Sequence, residues 1–248
     1  MMSVEAAMDS LVVAHKNAHA AYDLYVEKHG EVTQGEGGPY VRILSHENCH
    51  QYGVLERRLD RVHAAQRAVP QSFLAALVGR FDALVGGLVR ELFRLQPDAL
   101  NCSEREFTFA QLVKFDSIDA ARKYVVEKEI ETLLRKSHSE QFEWLEKKFD
   151  IQLRKDLPVW SAFVEITERR SLFVHTDGVA SAQYISNCQL ENVPLPPETK
   201  VGSRLWANQD YFRRAQNVLG EIGVKLSQVL WRKVAPGAAS LLNSPDLI

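Results

Sequence analysis

The chain is short of cysteine, of net charge and of long apolar runs, and each shortage closes off a class of function. Its three cysteines, Cys49, Cys102 and Cys188, lie far apart, so the 248 residues carry neither a disulfide framework nor a Cys-x-x-Cys metal clamp. A reducing, cytoplasmic setting is the expectation. Thirty basic side chains against 32 acidic ones leave a formal charge of −2, which gives no general basic surface. Contact with RNA or DNA then has to come from a local basic site. The most apolar stretch, residues 72–93, is broken by Arg80, Asp82 and Arg90 before it reaches the ~20 residues that a membrane span requires. It is expected to be a core helix, with no membrane partner. The opening segment holds Glu5 and Asp9 and no basic cluster, unlike a secretory leader. There is no internal repeat, no glycine-rich phosphate loop and no Gly-x-Ser-x-Gly elbow.

What the chain does have is 46% apolar side chains, ample for a packed core and set mostly at helical spacing. Its length allows one large or two small domains. Residues 4–29 combine high helix propensity with an apolar series from Leu11 through Ala14, Ala18 and Tyr22 to Tyr25. A Gly-rich break over 30–40 closes at Pro39, a helix is expected over about 41–68, and Pro70 separates it from another over 72–95. Residues 96–106 read as a connection. Beyond it, Ser117 is a good N-cap for a long helix with a break near Ser137–Ser139, and residues 191–203 are a Pro-rich loop. Asn208 then caps a last helix whose inward stripe runs from Tyr211 through Leu219, Ile222 and Leu226 to Leu230. The expected fold class is all-α: an N-terminal helical region 1–100, a helical domain 105–235 and a tail 236–248.

Chemistry concentrates in residues 156–188. Asp156 as a cap and Pro158 in a first turn open a helix there, and Asp177-Gly178 close it, glycine being free to take the left-handed conformation. Trp160, Phe163, Ile166, Phe173 and Val174 recur at three- and four-residue spacing as an apolar stripe. Arg170 sits inside it, within roughly 60° of four of these neighbours at about 100° per residue. A guanidinium cannot shed its charge, so it needs a carboxylate, a buried acceptor, a partner subunit or a ligand phosphate. The stripe is therefore expected to meet its symmetry mate in a two-fold dimer. On the adjoining side Glu168, Ser171 and His175 follow an i, i+3, i+7 pattern, which lets a carboxylate or hydroxyl orient the imidazole.

The run Arg170-Ser171-Leu172-Phe173-Val174-His175, inside ITERRSLFVHTDG, resembles the signature of HEPN domains: an Arg, a polar residue, three further residues and a His. The family usually has Asn where this chain has Ser171. The resemblance is close over about 150–190, extends over about 105–235 and leaves the first hundred residues unaccounted for. It implies an all-helical bundle that dimerises and cleaves RNA without a metal or an organic cofactor. In that carry-over Arg170 grips the scissile phosphate, His175 is general base or acid, Ser171 holds the geometry, and Glu168 and Asp177 support it. The implied products are a 2′,3′-cyclic phosphate and a 5′-hydroxyl end. The implied partners are RNA, a second copy of the chain, and an antitoxin or another defence-system protein, because such domains serve as toxins or phage-defence effectors. A catalytically idle interaction module is the alternative.

Two other patterns compete for attention. His46-Glu47-Asn48-Cys49-His50 has the spacing of HExxH, with Gly53 and Glu56 extending it. This resembles the zinc helix of metallopeptidases, in which His46, His50 and Glu56 hold zinc and Glu47 activates water. Against it stand the lack of preceding strands and of any methionine after Met8, so no Met-turn follows. Arg58-Leu59-Asp60-Arg61-Val62-His63 repeats the Arg-to-His spacing but lacks the polar residue after Arg and the Asp-Gly stop, and reads as a solvated face. His15 and His19 form an i, i+4 pair with no acidic or thiol ligand evident beside them.

Overall fold

The computed structural model describes residues 4–34, 40–102, 106–155 and 157–235; the expected tail 236–248 and the cap Asp156 lie outside them. The fold is all-α apart from one hairpin. In chain order the elements are α1 (Val4–His29), β1 (Gly30–Gln34), β2 (Tyr40–Leu44), α2 (His46–Leu95), a 3-10 turn (Pro97–Cys102), α3 (Phe109–Leu112), α4 (Ile118–Leu134), α5 (His138–Phe149), α6 (Trp160–His175), α7 (Ala182–Leu190) and α8 (Gln209–Val234). Two compact units share them: Met1–Leu74 with Trp206–Phe212, and Ala75–Leu205 with Arg213–Ile248. The division thus falls inside α2 and not in the connection at 96–106.

In the first unit, α1 buries only Met8 and Ala18. Polar contacts supplement that thin packing. Tyr22 and Tyr52 share a hydrogen bond of 2.8 Å between their hydroxyls, and Tyr25 donates to the carbonyl and the side-chain oxygen of Asn48, each at 3.2 Å. The expected break at 30–40 is in part an antiparallel hairpin with Gly30 opposite Leu44 and Val32 opposite Arg42. β-Branched Val32, Thr33, Val41 and Ile43 favour the extended backbone that the glycines, read alone, conceal. The second correction concerns Pro70, which lies inside α2. A proline in a helix interior costs about 3 kcal/mol. Here Leu74, Val78, Phe81, Val85 and Val89 follow it on one buried face, at about 1.5–3 kcal/mol each, which outweighs that cost.

The second unit is densely packed. Phe81 meets Phe163 edge-on with centroids 5.2 Å apart, Phe163 also touches Phe142 and Trp160, and Phe93 packs on Trp144 and Phe149. α2 contains an 18-residue window apolar enough, by length and composition, to cross a membrane, and these contacts make one side of it core. Gly86 lets α4 approach: a Cβ there would stand 3.3 Å from Leu134.

Helix ends follow the local signals. Ser117 accepts from the Ala120 amide, Ser137 and Glu140 form a capping box, and Asn208 accepts from the Tyr211 amide at 2.8 Å. Gly178 takes φ +79° and donates to the Leu172 carbonyl, closing α6 as its Asp-Gly pair suggests. No other residue fits there, because a Cβ would lie 2.8 Å from the Leu205 carbonyl oxygen.

Candidate functional site

Helix α6 begins at Trp160, two residues beyond Pro158, with no side-chain cap. Its apolar stripe is consumed within the chain: Phe163, Ile166 and Phe173 are 0, 1 and 9% exposed, and only Val174 stays open at 52%. The expectation that this stripe forms a dimer seam is thereby corrected. The residues have the right period, but period alone does not say whether the covering surface comes from the same chain. Arg170 departs from the stripe as well. Its long stem carries the guanidinium to the edge of the core, into a polar pocket of about 360 Å³.

That pocket gathers groups from four elements. Asp82 comes from α2, Ser137 and His138 from the start of α5, Glu168, Arg170 and Ser171 from α6, and Asn187 from α7. Arg170 is half-buried, and its Nε is shielded from solvent with no hydrogen-bond partner. Among the described residues no carboxylate pairs with it. Beside it His138 Nε2 donates to Asp82 Oδ1 at 2.8 Å, with the two side chains 13% and 23% exposed. Phe81 and Phe163 flank the ring. That bond leaves Nδ1 as the second ring nitrogen.

Glu168 Oε2 accepts from Asn187 Nδ2 at 3.0 Å. Burial pushes its carboxyl above the usual range, against the opposing pull of the Asn187 bond and of His138. Behind the pocket, Glu165 accepts from Arg169 Nε at 2.6 Å and from the Tyr184 hydroxyl at 2.9 Å, joining α6 to α7. Burial, followed by the Glu165 charge, raises the Tyr184 phenol, and burial with the Glu165 and Glu168 charges pushes the Cys188 thiol up to about 12. Both stay protonated at neutral pH.

Of the residues expected at the site, Arg170, Ser171 and Glu168 therefore meet in one pocket. His175 does not line it. Five residues further along, it is turned by roughly 140° and raised by about 7.5 Å, and it is exposed. Glu168 is bonded to Asn187 rather than to His175. Asp177, at φ 51°, pairs with Arg204 at 2.7 Å and so belongs to the turn that closes α6. The His138–Asp82 pair was invisible in the sequence, where 56 residues separate its members. His46, His50 and Glu56 are exposed on α2, and the ten-residue step from His46 to Glu56 is about 15 Å of helix. Among the described residues these three form no donor cluster; the one such cluster is His15, His19 and His63.

Comparison of the chain with protein-family models, with curated proteins and with solved structures gave no match.

Proposed function

We propose that the chain is a metal-independent endoribonuclease of the HEPN type, acting as a cytoplasmic homodimer in a toxin or phage-defence role, with the Arg170 pocket as its phosphate site. One observation carries the reading: a half-buried guanidinium with a shielded, unpartnered Nε opens on a polar pocket and meets no described carboxylate. A phosphodiester supplies the missing anion and bidentate acceptors. In the reaction an imidazole takes the proton of the ribose 2′-hydroxyl and the 2′-oxygen forms its bond to phosphorus. The bond to the 5′-oxygen breaks, and that oxygen takes a proton from a general acid. Arg170 offsets the charge that builds on the phosphate oxygens, and Ser171 orients them. Two imidazoles are candidates for the proton transfers. His138 stands in the pocket, fixed by Asp82; His175 stands outside it on an open surface, where a second copy brings it to the site.

The test is incubation of the purified chain with total RNA in EDTA, beside Arg170→Ala, His138→Ala and His175→Ala variants. Cleavage that survives the chelator and is lost in Arg170→Ala supports the proposal, and whichever His variant is inactive identifies the imidazole. Cleavage retained by Arg170→Ala overturns it. The exposed position of His175 also favours a second reading, a non-catalytic interaction module, for which the chain leaves RNA intact while remaining dimeric.

A further inference from the structure

The sequence pairs His15 with His19 one helical turn apart on α1, and the fold adds a third imidazole, His63 of α2. One nitrogen from each ring lies within 4.8 Å of the others, and the ring centroids stand 5.4, 4.7 and 6.1 Å apart. Donor nitrogens around a tetrahedral zinc, at about 2.0–2.1 Å from the metal, stand about 3.4 Å from one another, so small side-chain rotations complete the geometry. Two independent features point the same way. His15 Nδ1 is shielded from solvent and has no hydrogen-bond partner. His19 Nδ1 donates to Asp23 Oδ2 at 3.3 Å, which frees Nε2 for a metal in a carboxylate–imidazole–metal relay. The His19 and His63 rings are exposed, which leaves a path for the ion.

We propose that His15, His19 and His63 form a binding site for a divalent transition metal of the zinc class, with Asp23 as the outer partner of His19. Imidazole nitrogens suit zinc, nickel and copper rather than magnesium or calcium, which take oxygen donors. The consequence is structural. Three ligands drawn from two helices clamp α1 to α2 in the unit where α1 buries only two side chains. The site belongs to the first unit and the Arg170 pocket to the second, and the proposal does not depend on the nuclease reading.

Titration of tag-free, metal-stripped full chain with Zn²⁺ by calorimetry, and with Co²⁺ by its visible absorption, reads the site directly. One equivalent is expected to bind, with tetrahedral cobalt bands and a raised thermal midpoint. His63→Gln and His19→Gln change exposed rings, so they leave the far-ultraviolet circular dichroism unchanged and abolish both binding and the midpoint shift. Asp23→Ala weakens binding by about 10- to 100-fold. His46→Ala with His50→Ala leaves binding intact. Absence of binding, or binding that persists in the His19→Gln/His63→Gln double variant, overturns the proposal. RNA cleavage in EDTA is unaffected either way, so failure here and failure of the nuclease reading are separately visible.

Discussion

In the second unit Glu165 is 7% exposed and is met by both Arg169 and Tyr184, whereas in the first unit His15, His19 and His63 face one another with Asp23 bonded to His19. The two units bury apolar surface to very different extents, and their polar groups differ accordingly. Where the core is dense, an ionised group survives only if its partner is built in beside it. Among the described residues the Arg170 guanidinium departs from that rule, with a shielded Nε that has no partner, and this is the observation on which the proposed phosphate site rests. Where burial is thin, polar groups remain within reach of solvent, and a ligand can tie them together at little desolvation cost. A partner missing from a dense region and a cluster gathered in a loose one are different signs of a site.

The sharpest way to break the comparison is to strand a charge in the dense unit. Arg169→Ala leaves Glu165 buried beside Tyr184 without its cation and is expected to cost about 3–5 kcal/mol in urea unfolding. A loss under 1 kcal/mol removes the argument that this core enforces pairing.

The next effect is at Glu146, which accepts from the Leu153 and Arg154 amides and from the Arg154 guanidinium at 2.8–2.9 Å, holding the chain between α5 and α6. Burial raises its carboxyl, but the side-chain and backbone bonds from Arg154 and the Leu153 amide outweigh it and hold the group below its usual range. Glu146→Ala is expected to cost about 2–3 kcal/mol. Because the folded value is depressed, this stability is present above the unfolded value near 4.5 and is lost as pH falls through the folded value. Denaturation followed against pH checks the sign.

Smaller effects sharpen the contrast. Tyr22→Phe removes the bond to Tyr52 and is expected to cost about 0.5–1.5 kcal/mol. Amides of α1 are expected to exchange with deuterium faster than those of α6, which has eight buried residues against the two of α1. Glu168→Gln is expected to shift stability least, by about 0.5 kcal/mol or less near neutral pH. Its sign is opposite to that of Glu146. A carboxyl whose folded value is raised contributes stability below its unfolded value and loses it as pH rises through the folded one. The Gln variant therefore removes the fall in stability that sets in above the unfolded value near 4.5 and ends once pH has passed the folded one.

Much of the fold could be read locally. Ser117, Ser137, Asn208 and Gly178 mark helix ends because caps and left-handed closures involve residues only a turn apart. Pro70 misled because a proline signal is local, while the buried face that overrides it extends along a whole helix. The hairpin was hidden by glycines whose β-branched neighbours carry the signal. At the candidate site, spacing on one helix brought out Arg170, Ser171 and Glu168, which do share a pocket. Spacing could not show His138 against Asp82 or His63 beside His15, since both arise from packing between helices distant in sequence. The same limit explains the stripe: a period identifies a buried face but not what covers it.

The most direct trial of the proposed phosphate site is the single-turnover rate of RNA cleavage in EDTA for the parent chain and for Arg170→Ala. The expected result is metal-free cleavage by the parent and a rate lower by about 10²–10³ in the variant, with the thermal midpoint unchanged. Equal rates, or no cleavage by the parent chain on any RNA offered, contradict it.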